Sequence, residues 1–119
     1  MNDFTSIESV QQYLRDFARD RDWDKFHAPK NLAMALAVES AELMELFQWL
    51  SESESAALDA EKLGAVREEM ADVFLYLLRM ADVLNIDLMA AAEHKAGRNE
   101  QRYPAEKVRG SAKKYSDYS

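Results

Sequence analysis

The strongest constraint on the fold of this chain is its shortage of helix-breaking residues. Three glycines and two prolines are spread over 119 residues, and the stretches between them are rich in alanine, leucine, glutamate and methionine. These four residue types favour helix, whereas β-turns depend mainly on glycine, proline, asparagine and aspartate. The sequence therefore predicts an all-α fold, arranged as a four-helix bundle.

Composition limits the size of this fold and the chemistry available to it. A chain of 119 residues with 48% apolar residues is long enough for one domain with its own core. The absence of cysteine excludes disulfides, zinc–thiolate sites, iron–sulfur clusters and a cysteine nucleophile. The formal net charge of −7 argues against binding in a nucleic-acid groove, although cations can still bridge carboxylates to a nucleotide.

No charged-then-apolar leader opens the sequence, and no uncharged apolar run reaches the roughly 18 residues of a membrane span. We therefore expect a cytoplasmic protein that binds neither membranes nor nucleic acid.

The first predicted helix begins at Thr5, because Thr5 and Glu8 have the spacing of a capping box, and it ends near Asp22. The segment 23–30 is predicted as a loop, because Pro29 disfavours helix at the residue before it. Three aromatic side chains occur in this loop: Trp23, Phe26 and His27.

Three more helices are predicted, and Asn31 is a suitable N-cap for the first of them. In chain order the segments are a second helix over 31–50, a polar linker over 51–55, a third helix over 60–84 and a fourth over 87–103. Pro104 ends the fourth helix. We expect one helical domain, 1–104, and a polar, basic tail, 105–119, that is flexible or lies across a partner subunit.

The second and third helices each carry two acids on the apolar side. On a helical wheel Glu39 lies in an apolar arc, with Glu42 one turn later; Glu69 lies in a similar arc, with Asp72 adjacent. The apolar residues of the first arc are Leu32, Ala35, Leu43, Leu46 and Leu50. Those of the second arc are Val66, Val73, Tyr76, Met80 and Val83. These acids interrupt stripes that should face the core.

A buried carboxylate must be protonated, paired with a base or bound to a cation, because isolated burial of its charge is costly. The nearest bases, Arg67 and Arg79, lie off the centre of the second arc. Hard cations take oxygen ligands, and acids at i and i+3 project from one helix face. Two such helices can pack around Mg²⁺. The predicted ligands are Glu39, Glu42, Glu69 and Asp72.

Other interpretations of these acids stay open. The same spacings occur on solvated helix faces, and Glu45 and Glu68 are either outer groups beside a site or general bases. A non-catalytic helical oligomer, with acids in interchain salt bridges, is the alternative from a different class. A di-iron carboxylate bundle is excluded, because neither His27 nor His94 has a glutamate three residues before it.

Several blocks of sequence follow one another in a fixed order between Phe17 and Pro104. They are Arg21–Leu32 (RDWDKFHAPKNL), Glu39–Leu43 (ESAEL), Leu46–Trp49 (LFQW), Glu68–Val73 (EEMADV), then Lys95, Asn99 and Arg102–Pro104. Together they resemble the MazG-like, all-α nucleoside triphosphate pyrophosphohydrolases, and most of all the dCTP pyrophosphatase branch.

The resemblance implies an oligomeric, MazG-like four-helix bundle that depends on Mg²⁺. Such an enzyme hydrolyses a nucleoside triphosphate between the α and β phosphates and releases a nucleoside monophosphate and diphosphate. It also implies dCTP or a related pyrimidine deoxynucleotide as the substrate, and nucleotide-pool cleansing as the role. The implied assembly is a dimer or a dimer-of-dimers tetramer, with the base pocket completed by a neighbouring chain.

The resemblance assigns roles to individual residues. Its metal-binding acids map onto Glu39, Glu42, Glu69 and Asp72. Its base-recognition positions map onto Trp23, Phe26, His27, Trp49 and Tyr76. Its phosphate-binding cluster maps onto Lys95, Asn99, Arg102 and Tyr103. Either Glu42 or Glu45 is available as the general base. Family members often carry glycine before each acid of the first pair, where this chain has Val38 and Ala41.

Each of these roles has a structural alternative. Trp49 and Tyr76 are also suitable core residues, and His27 is also suitable as a hydrogen-bonded structural histidine. Lys95 and Arg102 near a helix C-terminus also complement the helix dipole. The methionines are predicted to fill the core: Met34, Met44, Met70, Met80 and Met89.

Overall fold

The computed structural model describes residues 2–117 and contains no β-strand in that range. Its helices, in chain order, are α1 (Ile7–Asp20), α2 (Pro29–Glu45), α3 (Glu52–Ser55), α4 (Ala60–Val83), α5 (Leu88–Arg102) and α6 (Ala105–Val108). Single 3-10 turns lie at Asp24–Phe26 and Tyr115–Asp117. The prediction of an all-α fold is confirmed, with two short helices that the sequence pattern did not predict.

The N-cap of helix α1 lies one residue later than predicted. The N-cap is Ser6, whose side chain accepts a hydrogen bond from the Ser9 N–H at 3.0 Å, while Ser9 Oγ accepts from the Ser6 N–H at 3.1 Å. Thr5 also donates its N–H to Ser9 Oγ. The prediction that Thr5 and Glu8 form the capping box is therefore wrong, because Ser6 and Ser9 form it.

Helix α2 begins earlier and ends earlier than predicted. Ala28 is its N-cap and Pro29 its first residue, a position where the missing N–H of proline costs nothing. Asn31 is therefore not the cap; its side-chain amide donates to the carbonyl of Phe26 at 3.2 Å. The helix ends at Glu45, and the predicted extension to residue 50 is wrong.

The predicted linker 51–55 is helical in its last four residues. Ser51 caps α3 by accepting from the Glu54 N–H at 3.1 Å, and a Glu54 carboxylate oxygen accepts from the Ser51 N–H at 2.8 Å. This reciprocal capping box stabilises a single helical turn despite its polar composition.

Helix α4 is the central element of residues 2–85 and packs against both α2 and α1. Asp59 caps it by accepting from the Lys62 N–H at 2.8 Å. Among the described residues, the buried apolar core consists of Val10, Ala18, Leu32, Val66, Leu78 and Ala81. Gln11 on α1 donates to the carbonyl of Leu78 at 3.0 Å and links the two helices further.

The chain divides after Asn85 into two compact units. The first contains α1–α4, and the second contains α5, α6 and the turn at Tyr115–Asp117. Pro104 follows the end of α5 as predicted. The division into a domain, 1–104, and a tail, 105–119, stays a prediction, and Met1 and residues 118–119 lie outside the described residues. Within residues 2–117, every helix is too short or too polar to cross a bilayer.

Large apolar side chains remain exposed on α2 and α4. They include Met34, Val38, Met44, Leu63, Met70, Phe74 and Leu77. The prediction that methionines fill the core of this chain is therefore wrong for Met34, Met44 and Met70, and also for Met89 on α5. A helix face this apolar is typical of a surface that another chain covers.

Candidate active site

Three carboxylates meet where α2 packs against α4. Glu39 comes from α2, and Glu69 and Asp72 come from adjacent turns of α4; one oxygen of each lies within 4.8 Å of the others. Leu32 on α2 and Val66 on α4 are buried on the same helix faces as these acids, and α2 packs against α4. We call Glu39, Glu69 and Asp72 the acid cluster.

The acid cluster is half-buried, and two of its carboxylate oxygens lack hydrogen-bond partners. Glu39 Oε2 and Glu69 Oε2 are both buried, and neither has a partner in the structure. Burial raises the pKa of Glu39 to about 7, helped by hydrogen bonding with Glu69 and Glu42 and by the charges of Glu42 and Asp72. Unpaired buried acceptors of this kind destabilise a protein unless a donor or cation reaches them.

Four basic side chains of the described residues form ion pairs with acids outside the acid cluster. They are Arg15, Arg19, Lys25 and Arg79. Arg79, one of the two nearest bases in sequence, pairs with Asp24 at 2.8 Å and Asp82 at 3.8 Å. The second base, Arg67, is exposed. Three converging carboxylates with unsatisfied oxygens fit a hard divalent cation such as Mg²⁺, which takes oxygen ligands.

The other predicted acids lie outside this group of three. Glu42 is exposed, and it is close enough to Glu39 to contribute to the raised pKa of that residue. Glu45 and Glu68 are exposed as well. The structure therefore brings together three of the four predicted metal ligands and leaves the fourth, Glu42, at the solvent edge beside them.

A cavity of about 180 Å³ adjoins the acid cluster through Asp72. Four of its lining residues belong to the predicted site: Trp23, His27, Asp72 and Tyr76. The other four were not predicted: Leu14, Phe17, Leu75 and Arg79. The cavity is thus an aromatic and aliphatic chamber with a carboxylate, an imidazole and a guanidinium in its wall.

The aromatic wall is built where the chain leaves α1. Asp22 adopts a left-handed conformation, φ 55°, which reverses the chain, and the Trp23 N–H donates to the carbonyl of Ala18 at 2.8 Å. The Trp23 ring then meets the Phe17 ring edge-on, with centroids 5.7 Å apart. The Arg21 guanidinium lies 3.5 Å from the Phe17 ring centroid. These contacts fix the indole at the cavity in spite of its position in a loop.

Arg79 is the residue that sequence reasoning missed. Only 8% of its surface is exposed, and its Nε donates to His27 Nδ1 at 3.0 Å while Nη2 donates to Asp24 Oδ1 at 2.8 Å. Burial lowers the pKa of His27, and the charge of Arg79 lowers it further against the opposing effect of Asp24. The sequence did contain one signal of this role. Arg79 lies close to the apolar arc of a long helix, and no acid had been assigned to it as a partner.

The remaining predicted aromatic residues do not line this cavity. Phe26 is exposed, with Lys25 Nζ 5.4 Å from its ring centroid. Trp49 follows the end of α2 and has 87% of its surface exposed. The structural alternative, that Trp49 is a core residue, is therefore wrong for the single chain.

The predicted phosphate-binding residues belong to the second unit. Lys95, Asn99 and Arg102 share one face of α5, since they are four and three residues apart. Lys95 and Asn99 are exposed, and Arg102 and Tyr103 are half-buried. The Tyr103 N–H donates to the carbonyl of Asn99 at 2.8 Å and caps the helix. Their role in binding phosphate stays a prediction.

Comparisons with known proteins point to one family. The model of the MazG-like family matches residues 34–118. Rat dCTP pyrophosphatase 1 is 42% identical over 114 residues, which are 94% of this chain and 67% of the relative. The human protein of the same name is 38% identical over the same length. A pyrophosphatase crystal structure from Archaeoglobus fulgidus has 40% identity and a TM-score of 0.79, covering 87% of this chain and 97% of that one.

Proposed function

The chain belongs to the MazG-like family, and from this membership we propose that it hydrolyses nucleoside triphosphates, preferring dCTP, to a nucleoside monophosphate and diphosphate. Relatives named dCTP pyrophosphatase 1 match most of the chain. The observation that carries the proposal is the acid cluster, whose buried oxygens lack partners, directly beside an aromatic cavity. An acid-rich centre and a ring-sized chamber are the two sites that a nucleotide requires.

The acid cluster would hold Mg²⁺ through carboxylate oxygens, and Glu42 is near enough to Glu39 to be a further ligand. When bound, Mg²⁺ supplies positive charge that offsets the charge of the phosphate oxygens. The oxygen-only donor set and the orphaned oxygens of Glu39 and Glu69 are what support this assignment.

Asp72 belongs both to the acid cluster and to the cavity wall, so it sets the orientation of the substrate. The phosphates lie at the carboxylates and the base enters the cavity. An apolar cavity of about 150 Å³ holds a benzene ring, so one of about 180 Å³ is suited to a single pyrimidine ring. Trp23 and Tyr76 offer ring faces for stacking.

Residues outside the acid cluster carry the remaining steps. Glu42 or Glu45, which are both exposed carboxylates, accept a proton from the attacking water. The water oxygen forms a new bond to phosphorus, and the bond that joins the α and β phosphates through oxygen breaks. The family resemblance assigns phosphate binding, through charge-assisted hydrogen bonds, to four residues of the second unit: Lys95, Asn99, Arg102 and Tyr103.

The exposed apolar faces of α2 and α4 support a homo-oligomer, a dimer or a dimer of dimers. In such an assembly Trp49 and Phe26, which are exposed in the single chain, complete the base pocket of a neighbouring subunit. We place this activity in the cytoplasm, where it removes unwanted nucleotides from the pool.

A screen of the common nucleoside triphosphates, with diphosphate and phosphate measured separately, tests the proposal. We expect diphosphate release, fastest with dCTP, and only when Mg²⁺ is present. Thermal unfolding with and without Mg²⁺ tests the rival, a non-catalytic oligomer with structural acid clusters. A ligand that binds only the folded state raises its stability, so an unchanged melting temperature and no diphosphate release would support the rival.

A further inference from the structure

The contact between Arg79 and His27 determines where the imidazole proton lies. A guanidinium has only N–H donors and stays protonated in proteins. Because Arg79 Nε donates to His27 Nδ1 at 3.0 Å, this nitrogen must present a lone pair. The proton of the neutral ring therefore lies on Nε2.

Two further contacts keep this arrangement in place. The Arg79 Nη2–H donates to Asp24 Oδ1 at 2.8 Å, and the His27 N–H donates to the carbonyl of Asp24 at 3.1 Å. The guanidinium is thus bound to both ends of one short turn, Asp24 to His27. Because Arg79 is buried and also pairs with Asp82, it cannot turn away to release the imidazole.

We infer that Arg79 is a positioning residue that fixes His27 as the Nε2–H tautomer and thereby gives the cavity one hydrogen-bond donor for an acceptor atom of the base. His27 lines the cavity and its Nδ1 is occupied, so Nε2 is the nitrogen left for a ligand. Cytosine offers O2 and N3 as acceptors. The part that concerns the base rests on the proposed function.

Protonation of His27 is opposed by the same geometry. A proton on Nδ1 would face the N–H of Arg79, and no acceptor would lie between them. The lowered pKa of His27 agrees with this, with Asp24 as the opposing charge. The imidazole therefore acts as a neutral donor, and Arg79 acts on the substrate through it.

Nitrogen NMR on the ¹⁵N-labelled full chain without nucleotide tests the tautomer directly. The chain has two histidines, so His94→Gln assigns the signals. We expect an unprotonated Nδ1 and a protonated Nε2 for His27, and a mixture of tautomers with a raised pKa in Arg79→Met. A protonated Nδ1 in the wild type, or an unchanged pattern in Arg79→Met, overturns the inference.

A double-mutant cycle on dCTP hydrolysis tests whether Arg79 acts through His27. We expect His27→Phe and Arg79→Met each to lower kcat/KM about 10-fold, mainly through KM, as for loss of one hydrogen bond. The double variant should be no worse than His27→Phe, and His27→Gln, which keeps a donor, should recover part of the loss. Additive losses, or no effect of His27→Phe, contradict the inference.

Arg15→Met is the matched control, because Arg15 is the other arginine that binds Asp82 and it does not contact His27. We expect its tautomer pattern and its kcat/KM to be those of the wild type. If circular dichroism shows that Arg79→Met does not fold, Arg79→Lys takes its place, since one ammonium cannot reproduce the fork that holds Asp24 and His27 together. Wild-type protein without diphosphate release would contradict the proposed function, whereas the NMR pattern decides the tautomer independently.

Discussion

Helix α4 buries charged side chains at two places, and the two differ in whether the chain supplies partners for the buried charge. Near its middle, Glu69 and Asp72 meet Glu39, and two of their oxygens are buried without partners. Near its end, Arg79 is buried with Asp24, Asp82 and His27 as partners. A charge whose partners all come from the chain needs no ligand to be stable. The acid cluster lacks such partners, and this is the physical reason for assigning the chemistry to it.

The largest effect is expected when one negative charge is removed from the acid cluster. In Glu39→Gln or Asp72→Asn we expect diphosphate release from dCTP to fall at least about 100-fold, a typical cost of losing an electrostatic contact to the transition state. Because the acids repel one another without a cation, the metal-free melting temperature should not fall.

Glu61→Gln is the control for this test, since Glu61 is an exposed acid in the first turn of the same helix. It should keep wild-type turnover. Turnover by Glu39→Gln or Asp72→Asn close to that of the wild type would contradict the assignment of the acid cluster as the metal site.

Removing the charge of Arg79, which has its partners within the chain, should instead lower the stability of the protein. In Arg79→Met we expect a loss of about 2 kcal/mol in the free energy of unfolding, because hydrogen bonds to charged groups are lost and a buried salt-bridge partner is removed. Urea unfolding followed by circular dichroism measures this. A variant as stable as the wild type would show that the two sites do not differ in the way described.

The dependence of stability on pH gives a third comparison. The pKa of Glu39 is about 7 in the folded state against an ordinary 4.5, so the folded state binds the proton more tightly than the unfolded state. This contribution is fully present below pH about 4.5 and is lost as pH rises to about 7. We expect metal-free protein to lose stability over this range and Mg²⁺ to restore it, measured by thermal unfolding.

In Glu39→Gln this part of the pH dependence should disappear, while in Glu61→Gln it should be the same as in the wild type. A metal-free chain whose stability rises steadily from pH 5 to pH 7 in both variants and in the wild type would contradict the raised pKa of Glu39.

The smallest effect is expected for Arg15, which binds Asp82, one of the partners of Arg79. Arg15 is half-exposed and binds Asp82 at 2.6 Å. Because exposed ion pairs contribute little, Arg15→Met should lower the free energy of unfolding far less than Arg79→Met does. A loss as large as that of Arg79→Met would show that Asp82, and not the turn from Asp24 to His27, is the partner that matters.

Periodicity predicted the parts of the site that lie along one helix. It identified Glu39, Glu69 and Asp72, because acids within an apolar stripe are visible on a wheel. It also predicted Glu42, which is exposed beside Glu39 and whose role as a ligand stays a prediction. A wheel gives the direction of a side chain but neither its distance from the opposite helix nor its depth.

Contacts between distant segments could not be read in the same way. Arg79 lies 52 residues from His27 and 55 from Asp24 along the sequence, so nothing in the local pattern joins them. The exposed methionines were misjudged for a related reason. An apolar stripe predicts burial, but it does not tell whether the chain itself or a second chain provides the cover.

The seven-residue interval from Asp72 to Arg79 has an evolutionary consequence. Seven residues make almost two full turns of unbroken helix, which leaves both side chains within about 20° of the same direction and about 10 Å apart. Inserting or deleting one residue there would swing one of them by about 100°. We therefore expect insertions and deletions to be tolerated less well in this stretch than in the loops of the protein.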